Sequence, residues 1–190
     1  MKNISIKEIS KIGLFSALII ILSLSPLGFI PIGAIRITTI HIPIVIIAIL
    51  EKPRISFFVG FIFGLFSFFQ HLQGISALSF IFINPFVSVL PRALIGVCAY
   101  YSYAFFKKHL NNTISLVLSS VVGTFINTFG VLFFAYVFCK NQIYEVLKID
   151  PKKFLLSVAL TNGIAEIIVC SIVAPIILKK LLARKKSKNI

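Results

Sequence analysis

Long apolar runs broken by short polar or proline-bearing interruptions set the pattern of this chain. The first run, residues 9–24, follows a lysine-bearing start and stops at Pro26 and Gly28, where proline removes a ladder hydrogen bond and pushes its predecessor toward extended backbone. Residues 26–39 are apolar yet punctuated by Pro26, Pro31, Gly28 and Gly33, which predicts neither a clean helix nor a solvated linker. Irregular backbone at membrane depth is tolerated only where it packs into protein or lines a cavity, so this segment is expected to be a folded-in cap or pocket wall. A second, short helix is predicted over 40–50, followed by the charged turn Glu51-Lys52-Pro53-Arg54, and a third over 55–69. Residues 70–91 mix Gln70, His71, Gln73, Asn84, Pro85 and Pro91 into apolar sequence, predicting a re-entrant segment before a fourth helix that starts near Ser88 and ends at Lys107-Lys108. A fifth helix is predicted over 114–138. A polar connector follows, in which Asp150-Pro151 signals a new helix start, and a sixth helix runs over 154–182 into a basic tail.

Composition turns this pattern into a fold class. Of 190 residues, 58% are hydrophobic and 13% charged, against about 25% charged in ordinary soluble domains, and the mean hydropathy is +1.05. At about 20 residues per spanning helix, the chain has room for six spans. A single membrane domain over residues 1–190 is therefore expected, without an appended nucleotide-binding domain. The predicted fold class is an all-α integral membrane protein, a six-transmembrane-helix bundle in a multi-pass cell-membrane setting.

Charge then orients the bundle. Lys and Arg number 19 against five Asp and Glu, for a net charge of +14. In a soluble protein this would point to nucleic acid, but here the cations lie between and after apolar runs, so they mark sidedness and argue against a nucleic-acid partner. With both termini cytoplasmic, thirteen of the 19 fall on the inner side, and Arg36, Arg92, Lys140, Lys148, Lys152 and Lys153 fall outside. The predicted outer loops, 1–2, 3–4 and 5–6, are the ones rich in Pro, Asn and His, so chemistry is expected on the outer face. The first run resembles a secretory signal only superficially, since no small-x-small cleavage site follows it, and it is expected to be a retained helix. No internal repeat supports an inverted-repeat transporter.

The candidate chemistry lies in polar residues that lipid would reject. Glu166 falls well inside the sixth helix, where a carboxylate must face the bundle interior and find a partner or stay protonated. Asn162 precedes it by one turn on the same face, and Arg92 near the start of the fourth helix is a second expected neighbour. Glu166 and Arg92 form either a bridge holding two helices together or two elements of a ligand site, in which Arg92 would fork onto an anionic group. Asn84-Pro85 and Pro91-Arg92 fix the backbone locally. Asn127, with Thr124 and Thr128, makes a polar stripe in the fifth helix, suited to a ligand or to interhelical hydrogen bonds. His41 opens the second helix after Thr38-Thr39, as a ligand contact or a structural hydrogen-bonding group. Cys98, Cys139 and Cys170 lack ligand-like spacing and read as small buried hydrophobes, with no metal site. No acid/base pair, nucleophile triad or phosphate-binding loop occurs, so an enzyme is not expected.

Two small-x-x-x-small pairs, Gly13 with Ala17 and Gly60 with Gly64, permit close approach of helices, either within the bundle or to another membrane subunit.

In order and spacing, these residues resemble the S components, the substrate-capture subunits of energy-coupling factor (ECF) vitamin transporters, and most of all the pantothenate-type branch. The resemblance spans nearly the whole chain and rests on Ile30-Pro31-Ile32-Gly33, on Thr38-Thr39-Ile40-His41-Ile42-Pro43, and on Asn84-Pro85 with Ser88-Val89-Leu90-Pro91-Arg92. It continues through Gly123-Thr124 to Asn127-Thr128 and ends on Glu166. It implies a small membrane protein that captures a vitamin in an outward-facing pocket capped by loops 1–2 and 3–4. Arg92, Asn84, Asn127, Glu166, Asn162, Thr39 and His41 would be the substrate-binding residues. It further implies toppling in the membrane against a transmembrane coupling subunit driven by two cytoplasmic ATPase subunits, which bind the ATP, leaving this chain without a cofactor. The family docks through Ala-x-x-x-Ala on the first helix; here the pair is Gly13-x-x-x-Ala17, and Ile21 breaks the next repeat.

A flexible, carboxylate-bearing molecule suits Arg92 and the amides of Asn84, Asn127 and Asn162, and pantothenate fits that description; pyridoxine, folate and riboflavin are the alternatives. Two competing classes are a stand-alone proton-coupled secondary transporter using Glu166, and a membrane assembly factor that binds no small molecule.

Overall fold

The computed structural model describes residues 4–32, 35–74, 76 and 78–187. In chain order the elements are helix α1 (Ile6–Leu24), a single 3-10 turn, strands β1 (Phe29–Ile32) and β2 (Ile35–Thr38), then α2 (Ile42–Leu50) and α3 (Pro53–Leu72). Next come the short helices α4 (Ser79–Phe82) and α5 (Pro85–Ser88), followed by α6 (Leu90–His109), α7 (Asn112–Leu147), α8 (Pro151–Val158), a π turn (Ala159–Gly163) and α9 (Ile164–Ser187). Three helical stretches, Pro53–Leu72, Pro85–His109 and Asn112–Leu147, are long and apolar enough to cross a membrane. The outer faces carry large exposed apolar side chains, among them Leu14, Ile21, Phe69, Phe105, Phe133 and Ile168. So much exposed apolar surface is at odds with an aqueous exterior and suits lipid.

The core forms around α2. From Ile42 to Ile49 every residue of this helix is buried, because α1, α3, α6, α7 and α9 all pack against it. Ile44, Val45 and Ile47 meet Ile19 of α1, Val59 of α3, Ile95 of α6, Leu116 of α7 and Cys170 of α9 in one apolar cluster. A helix apolar all round is a central one. A second, smaller cluster joins Ile81 and Val87 to Ala135, Cys139 and Ile143 of α7 and Leu155 of α8.

Three features depart from the sequence reading. The all-α expectation has one exception: residues 29–38 pair as an antiparallel hairpin, with Phe29 opposite Thr38 and Ile32 opposite Ile35. The isoleucines at 30, 32, 35 and 37 alternate with period two, a strand signal obscured by proline and glycine; in a two-stranded sheet both strands are edges, where Pro31 is tolerated. Secondly, α7 continues nine residues beyond 138, through most of the predicted connector, and ends at Lys148, whose φ of 56° is a left-handed cap. Its polar Lys140, Asn141 and Gln142 face outward while Cys139 and Ile143, four apart, are buried, so one helical face continues into the connector. Thirdly, the last helical stretch contains a π turn over Ala159–Gly163, ending three residues before Glu166.

Candidate functional site

A cavity of about 500 Å³ opens where the two apolar clusters meet, lined by Ile40 and Phe63 from one and Ile81, Ala135 and Leu155 from the other. Its polar wall comes from every layer of the fold: Thr38 at the end of β2, Ser67, Gln70 and His71 on α3, Arg92 on α6, Asn127 and Thr128 on α7, Asn162 in the π turn and Glu166 on α9.

Arg92 is placed by close backbone approach. A side chain at Gly60 of α3 would collide with the carbonyl of Arg92, and one at Gly64 would meet Cα of Val89 at 2.6 Å. This pair is therefore internal packing between α3 and α6. Arg92 is 8% exposed. Its Nη1 donates to the carbonyls of Val87 (2.8 Å) and Ser88 (3.0 Å), the last residues of α5, whose helix-terminal carbonyls need partners. Two aromatic rings pack against the guanidinium, Phe82 at 5.1 Å and Phe63 at 5.6 Å from Cζ. Nε is sealed off without a hydrogen bond. Nη2 makes no hydrogen bond to a described residue, so its donor capacity is unused.

Glu166 is 5% exposed. Its Oε1 accepts the backbone N–H of Thr38 at 3.0 Å, and its Oε2 accepts the Thr128 hydroxyl at 2.6 Å. No ion pair joins it to Arg92 among the described residues. Of the two alternatives for Arg92 and Glu166, the direct bridge does not form among the described residues: the guanidinium is held by α5 carbonyls and the carboxylate by two neutral donors, as two separate networks on one cavity. Asn127 is 7% exposed, and its Oδ1 has no partner.

Of the seven expected site residues, Arg92, Asn127, Asn162 and Glu166 line this cavity, while Asn84, Thr39 and His41 do not. Asn84 caps α5, its Oδ1 accepting the N–H of Phe86 at 3.0 Å. Thr39 donates its hydroxyl to the carbonyl of Leu27 at 2.6 Å, tying the hairpin to the 3-10 turn. His41 is fully buried with Nε2 3.0 Å from Thr124 Oγ1, whose own hydrogen goes to the Ser120 carbonyl. Both contacts are satisfied when Nε2–H is the donor. Thr38, Thr128, Ser67 and His71 were not among the expected site residues, although Thr128 was visible in the polar stripe of the fifth helix and His71 in the mixed stretch. Gly13 and Ala17 lie exposed on α1, and a side chain at Gly13 would meet no heavy atom within 4 Å. Among the described residues no group of three His, Cys, Asp or Glu side chains converges as a metal site requires.

The family model described as "ECF transporter, substrate-specific component" matches residues 7–178. Pantothenic acid transporter PanT of Lactococcus lactis subsp. cremoris is 25% identical over 198 aligned positions, covering 95% of this chain and 96% of that protein. Pantothenate transporter PanT of Leuconostoc mesenteroides subsp. mesenteroides is 30% identical over 141, covering 70% and 69% respectively.

Proposed function

This chain belongs to the family of ECF transporter substrate-specific components, and from that premise we propose that it captures pantothenate in the Arg92–Glu166 cavity. The observation that carries the reading is a guanidinium with an uncommitted Nη2 beside a partly open cavity of about 500 Å³, within the usual range for small-molecule pockets. A carboxylate seated on Nη2 of Arg92 gains a charge-assisted hydrogen bond in a water-poor setting. Asn127, Asn162 and Glu166, which line the same cavity, offer amide groups and carboxylate acceptors, suited to the amide and two hydroxyls of pantothenate. Two relatives named as pantothenate transporters support the substrate.

The wider reading is a six-span subunit of the cell membrane with both termini cytoplasmic. The spans are α1, α2, α3, α5 with α6, α7, and α8 with α9. At nine residues, or about 13 Å, α2 is too short to cross alone and relies on the hairpin to complete its path. Lys11–Glu51 at 2.7 Å and Lys52–Glu8 at 2.9 Å tie the start of α1 to the α2–α3 turn, consistent with their sharing the inner side. The exposed Gly13 and Ala17 face of α1 would dock a transmembrane coupling subunit, with two ATPase subunits supplying the energy.

Isothermal titration of the purified chain tests the substrate. Saturable heat at one pantothenate per chain is expected; heat with pyridoxine, folate or riboflavin and none with pantothenate would reassign it. Uptake by the chain alone in liposomes, driven by a pH gradient and lost in Glu166→Gln, would favour a stand-alone proton-coupled transporter.

A further inference from the structure

We propose that His71 is a specificity-determining acceptor, selecting among small carboxylates those that carry an amide N–H close to the acid group. The inference rests on the reading of Arg92 as the carboxylate anchor and adds to it a second, opposite polarity.

His71 stands in the last turn of α3 and lines the cavity. Its Nδ1 lies 2.7 Å from the carbonyl of Ser67. A carbonyl oxygen only accepts, so Nδ1 carries the hydrogen, and in the neutral ring Nε2 is then a bare lone pair. Nε2 has no hydrogen-bond partner among the described residues and is not among the buried unsatisfied atoms, so it remains open to a ligand.

The ring is held as firmly as the guanidinium, and by the same part. Its centroid lies 4.5 Å from that of Phe82, tilted by 37°, while Phe82 also carries Arg92 at 5.1 Å. Phe82 is itself fixed, since Ser88 donates its hydroxyl to the Phe82 carbonyl and offers its own carbonyl to Arg92. Phe82 therefore packs against both the guanidinium that carries the donor Nη2 and the imidazole that carries the acceptor Nε2, and both residues line the same cavity.

A ligand whose carboxylate occupies Nη2 presents its next polar atom to that lone pair. An N–H satisfies it. An ether, ester or carbonyl oxygen repels it and leaves Nε2 unpaired, and sites built to receive a hydrogen bond reject analogues that lack one. In pantothenate the amide N–H lies two carbons from the carboxylate, which meets this requirement.

The test compares pantothenate with its ester isostere, in which oxygen replaces the amide nitrogen, by calorimetry on the unaltered chain and on His71→Phe. The unaltered chain should prefer pantothenate by about tenfold or more. His71→Phe should erase the preference, weakening pantothenate while leaving the ester within about twofold. Equal weakening of both ligands, or an unchanged preference, overturns the proposal. Absence of pantothenate binding by the unaltered chain removes the substrate reading and this inference together, whereas binding without discrimination removes the inference alone. Nitrogen-15 spectra of the unaltered chain give a readout that needs no variant: the His71 ring should be the Nδ1–H tautomer, with Nε2 shifting on addition of pantothenate and not of the ester. An Nε2–H tautomer overturns it.

Discussion

Glu166, on the last helix, accepts the backbone N–H of Thr38 at the end of the hairpin, 3.0 Å away and 128 residues earlier in the chain. With the Thr128 hydroxyl on its other oxygen, this carboxylate ties β2, α7 and α9 together at the cavity. Glu166→Ala removes both acceptors and leaves a partly buried amide unpaired, a loss of about 1.5–3 kcal/mol. Glu166→Gln keeps one carbonyl oxygen for Thr38, so its loss should be smaller. Thermal melting of the detergent-purified chain should rank the two in that order, and hydrogen exchange at Thr38 should accelerate mainly in Glu166→Ala.

In the proposed site Arg92 would offer the ligand a single nitrogen, while Lys140 is an exposed side chain in the C-terminal part of α7. Arg92→Ala should weaken pantothenate by about tenfold to a hundredfold, the worth of one hydrogen bond to a charged partner. Lys140→Ala should leave binding unchanged. Comparable effects in a titration would remove Arg92 from the pocket. Arg92→Lys should not restore affinity, since a single ammonium cannot both donate to the Val87 and Ser88 carbonyls and reach the ligand with a second nitrogen as the guanidinium fork does.

Gly60 and Gly13 are both first members of small-x-x-x-small pairs, yet they should respond oppositely to a methyl group. At Gly60 the new carbon collides with the Arg92 carbonyl, so Gly60→Ala should cost about 1–3 kcal/mol of stability, the usual range for overpacking, and should weaken ligand binding by displacing Arg92. At Gly13 there is open space, and Gly13→Ala should leave melting unchanged or slightly raised. Parallel melting curves check the pair.

If the proposed docking face is right, Gly13→Leu or Ala17→Leu should leave pantothenate titration intact and abolish co-purification with a transmembrane coupling subunit, because both positions are exposed on α1. Loss of ligand binding along with co-purification would mean that this face packs within the bundle.

Much of the architecture is legible in the chain because lipid imposes a strict rule on it. Long apolar runs form helices, and polar residues inside such runs must face inward, which is why Arg92, Asn127, Asn162 and Glu166 stand out in the sequence. The hairpin was less legible, since proline and glycine hid the period-two isoleucines at 30, 32, 35 and 37. The end of α7 was hidden for the opposite reason: a polar outer face masked the buried Cys139 and Ile143.

What belongs to the sequence by itself is the membrane setting, the order of the helical segments and the short set of polar residues too costly to leave in lipid. Which of those residues meet, and through which atoms, was decided only by the tertiary structure. Arg92 turns to the carbonyls of Val87 and Ser88 and Glu166 to Thr38 and Thr128, although opposite charges alone would have joined them. Backbone carbonyls and amides have no signature in a residue pattern, yet a buried charge takes whatever hydrogen-bonding group the packing brings within reach. The close approach of α3 and α6 at Gly60 fixes where that reach begins.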